Sequence, residues 1–233
     1  MEHAGGFGGR EIAREDVSRA PLRLMVYDRT CVKNRGLGLS SAWSVGANLY
    51  RRLGRFDATR GVRSWHEAIT WLASFEASRP IAEIQYWGHG RWGRVLVGSD
   101  VLDASALREG HALHASLRAV RERLVDGEEG LVWLRTCEVF GARIGTDFAQ
   151  SLADFFGAKV AGHTFIIGAI QSGLRALAPG CRPTWSAREG LAEGTPDQPV
   201  RALWSAASHP RTITCLANEV PRTWLEEDSA PRG

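Results

Sequence analysis

Apolar residues recur along the chain with two alternating spacings, which predict strands and helices in turn. Short, dense apolar runs are typical of buried strands, and they fall at 22–27, 81–87, 94–98, 131–136 and 159–162. Apolar residues three or four apart predict amphipathic helices over 40–52, 65–75, 113–124 and 148–157. Ser40 or Ser41 is a candidate N-cap of the first helix, and Ser64 of the second. Alternating strands and helices predict an α/β domain with a mainly parallel sheet and helices on both faces.

The ends of the chain lack this pattern. Residues 1–20 are rich in glycine and charge, so we expect a mobile leader. A single α/β domain is expected over 21–225, with 170–225 less regular because prolines interrupt it, apart from a late strand over 212–216. The acidic tail, 226–233, is expected to be disordered.

Composition excludes several classes of function. Hydrophobic residues make up 44% and charged residues 24% of the 233 positions, as in ordinary globular proteins. The net charge of +3 is small and the basic residues are scattered along the chain, so no nucleic-acid partner is expected. No apolar run is long enough for a membrane span and no signal-peptide core is present, so a cytoplasmic protein is expected. The sequence leaves the oligomeric state open.

Metal and cofactor sites are not expected either. The four cysteines lack paired C-x-x-C spacing, which disfavours a zinc site. His111 and His114 have no cysteine or carboxylate nearby in ligand spacing. No phosphate-binding loop of the P-loop type is present, so we expect no cofactor and no metal.

His89 and Cys137 carry the strongest chemical signal, because each follows an apolar run that predicts a buried strand. The carboxyl ends of neighbouring parallel strands meet at one edge of a sheet, where ligands and chemistry collect. A thiol becomes an effective nucleophile when an imidazole lies close to it. The sequence therefore predicts a cysteine–histidine pair at this edge. Cys31 follows the first strand and could reach the same edge, but we interpret it as a core cysteine.

Three segments carry a resemblance to the caspase-like cysteine peptidases, and to a bacterial caspase-like domain of large surface proteins. They are Ile84-Gln-Tyr-Trp-Gly-His-Gly, Trp133-Leu-Arg-Thr-Cys-Glu-Val-Phe-Gly, and the stretch from Phe148 to Thr164. The resemblance covers roughly residues 22–175. It implies a caspase-like three-layer sandwich and a cysteine endopeptidase that acts on a peptide or protein substrate.

The resemblance also implies roles for single residues. Cys137 would be the nucleophile, His89 the group that handles protons, and the N–H groups of Gly90 and Cys137 the donors to the oxyanion. Asp28 and Arg29 would help to shape the substrate pocket. Arg29 would favour an acidic side chain and Asp28 a basic one, and the sequence does not choose between them.

Other residues near the pair are candidates for substrate binding. Trp87 and Trp92 flank His89 and are candidates for the wall of a cleft, and His163 is a candidate third member of the site. Glu138, next to Cys137, would oppose formation of the thiolate if it pointed inward. Two alternatives therefore stay open. One is a catalytically inactive binding module with the same fold, and the other is a Cys-His hydrolase or acyltransferase that acts on non-peptide substrates.

Overall fold

The computed structural model describes residues 20–31 and 38–232 of the chain. The expected leader lies outside these residues, except for Ala20. The α-helices are α1 (Leu39–Arg52), α2 (Trp65–Ser74), α3 (His114–Arg121), α4 (Ala142–Phe156) and α5 (Arg222–Asp228). The strands are β1 (Leu22–Asp28), β2 (Ala58–Val62), β3 (Ile81–Trp87), β4 (His89–Arg91), β5 (Arg94–Val97), β6 (Asp100–Leu102), β7 (Gly127–Arg135), β8 (Ala158–His163), β9 (Ile170–Gln171), β10 (Leu174–Leu177), β11 (Cys181–Pro183), β12 (Leu191–Gly194), β13 (Pro199–Ala202), β14 (Ile213–Thr214) and β15 (Ser229–Pro231).

A six-stranded sheet forms the centre of the fold, in the order β10-β8-β7-β3-β1-β2. Strands β2, β1, β3, β7 and β8 run parallel, and β10 lies antiparallel to β8 at one edge. The predicted mainly parallel sheet is confirmed. The sequence did not predict β2, a short edge strand that is only partly buried.

Helices cover both faces of the sheet, as predicted, because the strand residues alternate between two apolar clusters. Leu24 and Val26 of β1 point to one face, where they join the core formed with α2, α3 and α4. Met25 points to the other face and packs with residues of α1. Leu225 of α5 packs on that second face farther along the sheet, beside β7, β8 and β10. The resulting arrangement is three-layered.

Of the two N-caps predicted from the sequence, one is found in the structure and the other is not. Ser64 caps α2 as predicted, since its side chain accepts a hydrogen bond from the N–H of Glu67. The prediction that Ser40 or Ser41 caps α1 is wrong. Gly38 occupies the N-cap position, and Ser40 lies inside the helix with its side chain buried.

Across 20–31 and 38–232, no helix combines the length and apolar character needed to cross a bilayer.

Residues 226–232 are ordered, which corrects the expectation of a disordered tail over the part of it that the structure describes. α5 ends at Asp228, and β15 then pairs with β11. Asp228 is 1% exposed, accepts a hydrogen bond from the N–H of Ala176 and forms an ion pair with Arg175 at 2.7 Å. The late strand expected over 212–216 is shorter, since only Ile213 and Thr214 pair, as β14.

Asp228→Ala should lower the free energy of unfolding by about 3 kcal/mol, because it leaves a largely buried arginine without one of its partners. Glu226→Ala is the matched control in the same helix. Glu226 forms only an exposed pair with Arg222, so its loss should cost less than about 1 kcal/mol. Urea unfolding of both variants measures the difference. Equal, small losses would contradict an ordered C-terminal segment.

Candidate active site

Three neighbouring parallel strands place the candidate catalytic residues at one edge of the sheet. Tyr27 of β1, Trp87 of β3 and Arg135 of β7 lie side by side in register. His89 therefore follows its strand at the same level as Cys137 follows the next strand. The prediction that the two residues come from neighbouring strands is confirmed.

The edge beside these residues is also the point where the strand order reverses. From β1 the chain first moves outward to β2 and then returns to place β3 on the opposite side of β1. In open α/β sheets, ligands bind outside the carboxyl ends of the strands at such a switch point. The position of the candidate site therefore agrees with a general rule of sheet topology.

A cavity of about 680 Å³ opens at this switch point. His89 and Cys137 both line it, together with Trp87 and Arg135. One wall is the face of α1 that begins at Leu39. The rest of the lining includes residues of the segment 166–171, Trp204 and residues 215–216. Its size is that of a typical small-ligand or substrate pocket.

The hydrogen bond of His89 goes to Cys31 and not to Cys137. Nε2 of His89 lies 3.3 Å from Sγ of Cys31, and the edge of the ring meets Trp43 with the ring centroids 5.3 Å apart. Cys31 is half-buried. The interpretation of Cys31 as a core cysteine is therefore wrong: two thiols, from β1 and β7, lie at the edge that carries the imidazole.

Cys137 is a shielded thiol. Its Sγ lies 3.9 Å from the carbonyl oxygen of Ile167, a distance that marks at most a weak hydrogen bond. Burial raises the pKa of the Cys137 thiol, and the carboxylate of Glu138 raises it further. The thiol is therefore protonated at neutral pH, and an attack by sulfur needs a base that removes its proton.

Glu138 has an unusual backbone and an unusual side chain. Its φ of +41° lies in the left-handed region that residues with a Cβ rarely adopt. The side chain is buried, and its Oε2 has no hydrogen-bond partner among the described residues. Burial raises the pKa of this carboxyl as well. Backbone strain of this kind is often found at functional sites, and here it directly follows Cys137.

Gly90 packs directly against the turn that carries Cys137. A Cβ built at Gly90 would lie 2.7 Å from Cβ of Thr136 and 3.0 Å from the carbonyl oxygen of Cys137. The absence of a side chain therefore lets β4 approach the end of β7. Gly90 therefore has a packing role in addition to the oxyanion role that the resemblance implies for its N–H group.

Asp28 and Arg29 do not line the cavity. Asp28 is buried and accepts hydrogen bonds from the N–H and the hydroxyl of Thr30, both at 2.7 Å. The side chain of Arg29 is exposed, and its backbone N–H bonds to the carbonyl of Val62. Neither residue is placed to contact a group in the cavity, in contrast to the substrate-binding role expected for them.

The three aromatic candidates separate in the same way. Trp87 lines the cavity. Trp92 packs elsewhere, with Ala142 and Ala202, and Arg91 stacks on it at 4.7 Å. His163 is fully buried, and its Nδ1 lies 3.0 Å from the carbonyl oxygen of Ser172. Burial lowers the pKa of His163 to about 3, so this imidazole is neutral and internal rather than a member of the cavity.

Arg135 is a site residue that the sequence analysis missed. It is 3% exposed, and its guanidinium lies between the rings of Trp87 and Trp133, 4.8 Å and 4.6 Å from their centroids. It donates to Oε1 of Gln171 and to the carbonyl oxygens of residues 214, 215 and 217. Arg135 thus ties the C-terminal loop to the sheet beneath the cavity. An arginine that ends the apolar run 131–135 was the available signal.

Comparison with known proteins gives a family without an assigned function. Residues 60–174 match DUF4347, a domain of unknown function. The match covers slightly less than half of the chain, and it contains His89 and Cys137 but neither Cys31 nor α1. No curated protein and no solved structure shows significant similarity to the chain.

Gly90→Ala should lower the free energy of unfolding by about 2 kcal/mol, because the added methyl group cannot be placed without moving Thr136 and Cys137. Gly168→Ala is the matched control, since nothing lies within 4 Å of a Cβ at that position. It should cost less than about 1 kcal/mol. Chemical denaturation of both variants measures the effect. A Gly90→Ala protein as stable as the control would contradict the tight contact between β4 and the end of β7.

His163 should make the fold sensitive to acid. Because its pKa falls from 6.5 to about 3 on folding, the unfolded chain binds a proton between these values that the folded chain does not. Stability therefore decreases as the pH is lowered through this window, by about 2 kcal/mol between pH 7 and pH 5. His163→Gln should remove this part of the pH dependence, and the exposed His66→Gln should keep it. An imidazole resonance of folded His163 that titrates near pH 6.5 would contradict the assignment.

Proposed function

We propose that the protein is a cysteine peptidase in which His89 serves as the base and Cys137 as the nucleophile. The observation that carries the proposal is the opening of both side chains into one cavity at the switch point of the sheet. The resemblance to caspase-like peptidases supports the same pair. Their delivery from the carboxyl ends of β3 and β7 is the arrangement that such chemistry needs.

The raised pKa of Cys137 favours proton transfer during the attack over a preformed thiolate. Nε2 of His89 would take the proton from Sγ as the sulfur forms a bond to the peptide carbonyl carbon. The protonated imidazole would then give that proton to the leaving amine, and water would release the acyl group. The N–H groups of Gly90 and Cys137 are the proposed donors to the oxyanion, each worth about 3 kcal/mol in the transition state.

The contact between His89 and Cys31 has a consequence for this mechanism. Nε2 is engaged with Cys31 in the structure, so the imidazole has to exchange this partner before it can accept a proton from Cys137. The same contact favours a second candidate nucleophile, Cys31 itself. An inactive binding module is favoured instead by the contact of His89 with Cys31 rather than with Cys137.

Alkylation by iodoacetamide, followed by mass spectrometry of each cysteine, separates these candidates. We expect the alkylation rate of Cys137 to rise with pH from 6 to 9, because its pKa is raised. His89→Ala should lower that rate at pH 7 by about 100-fold, the usual contribution of a general base. Cys181, a half-buried free cysteine outside the cavity lining, is the internal control and should react equally in both proteins.

Hydrolysis of a fluorogenic peptide library completes the test. Cys137→Ala should abolish cleavage, whereas Cys31→Ala and the control Cys181→Ala should retain it. Loss of cleavage in Cys31→Ala with retention in Cys137→Ala would assign the nucleophile to Cys31. An alkylation rate of Cys137 that is unchanged in His89→Ala, together with an absence of cleavage, would favour the binding module.

A further inference from the structure

We propose that the cavity beside His89 and Cys137 binds an apolar, preferentially aromatic, side chain of the residue on the amino side of the attacked peptide bond. This inference rests on the proposed function and names the substrate class of the same site. It answers the question that the sequence left open between an acidic and a basic preference.

Aliphatic and aromatic side chains form most of the cavity surface. Leu39, Trp43 and Leu49 contribute from α1, and Ile166, Ile167 and Leu216 contribute from segments later in the chain. The free energy gained by removing apolar surface from water grows with the area buried, so a large apolar group gains most in such a space. A charged group would lose its hydration there without a matching partner.

No carboxylate lines the cavity among the described residues, so a basic substrate side chain finds no counter-charge. The one guanidinium in the lining is that of Arg135, and its environment speaks against an acidic preference. Two tryptophan rings cover its faces, and Gln171 with three backbone carbonyls takes its hydrogen bonds. A substrate carboxylate would have to displace these contacts. Asp28 and Arg29 lie outside the lining.

Small residues on α1 make room for a large group. Ala42 and Gly46 are four residues apart on one side of the helix, and both line the cavity. A Cβ at Gly46 would lie 2.9 Å from the ring of Trp87, so the absence of a side chain there lets α1 pack closely against this tryptophan of the cavity lining. The volume of about 680 Å³ exceeds the needs of a methyl or carboxylate group and accommodates an aromatic ring with adjacent backbone.

Hydrolysis of acetyl-Ala-Ala-X 4-methylcoumaryl-7-amides tests the preference, with X as Phe, Leu, Ala, Asp or Lys. We expect kcat/KM for Phe to exceed that for Ala by at least 10-fold and those for Asp and Lys by at least 100-fold. Ala42→Trp should reduce the ratio of Phe to Ala by at least 10-fold because it fills the cavity. Val45→Trp is the matched control, since Val45 is exposed on the same helix and outside the lining, and should leave the ratio unchanged.

Binding to the Cys137→Ala protein distinguishes the failure of this inference from the failure of the peptidase proposal. Calorimetric titration with acetyl-Ala-Ala-X-amides requires no chemistry and should show the same order, lost in a Cys137→Ala/Ala42→Trp protein. Apolar binding without any hydrolysis by the native protein would overturn the peptidase and support the apolar site. A higher kcat/KM for Asp or Lys than for Phe, or a ratio of Phe to Ala that is unchanged in Ala42→Trp, would overturn the apolar site alone. The absence of both binding and hydrolysis would overturn both.

Discussion

Parallel, in-register pairing of β1, β3 and β7 is the constraint on which the candidate site depends. Parallel strands end at one edge, so residues far apart along the chain meet there. Cys31 and His89 are 58 positions apart, and His89 and Cys137 are 48 positions apart. The reversal of strand order between β1 and β3 keeps that edge open, because the connections leave it in opposite directions. The chemistry of the site is thus a consequence of the sheet more than of any local motif.

Arg135 links this sheet to the irregular C-terminal third. Burying a guanidinium is costly unless its donors are satisfied, and here backbone carbonyls and an amide side chain do so in place of a carboxylate. Burial accordingly lowers the pKa of Arg135. Since its partners lie in the loop that closes one side of the cavity, the shape of the cavity and the folding of the C-terminal residues are coupled.

The sequence predicted the parallel core and the placement of His89 and Cys137 after neighbouring strands, because dense apolar runs followed by a polar residue are local patterns. It missed β2 because the five residues Ala58–Val62 contain only one large apolar side chain, that of Val62, and form no dense apolar run. It placed Trp92 at the cavity because this residue is close to His89 in the chain. In the structure Trp92 lies in the sharp turn between β4 and β5, with a φ of +26°, and packs away from the cavity. The roles of Cys31 and Arg135 depend on contacts with segments far away in the chain, and no local pattern reports such contacts.

The interior position of β1, next to the edge strand β2, has a consequence for the limits of the folding unit. The region matched by DUF4347 begins at residue 60, yet β1 lies between β2 and β3 and hydrogen-bonds to both. A polypeptide trimmed to 60–174 would lack this strand, expose the unpaired backbone of β3 as a new edge, and lose the helix that lines the cavity. Of the six strands in the central sheet, such a fragment keeps only β3, β7 and β8 whole.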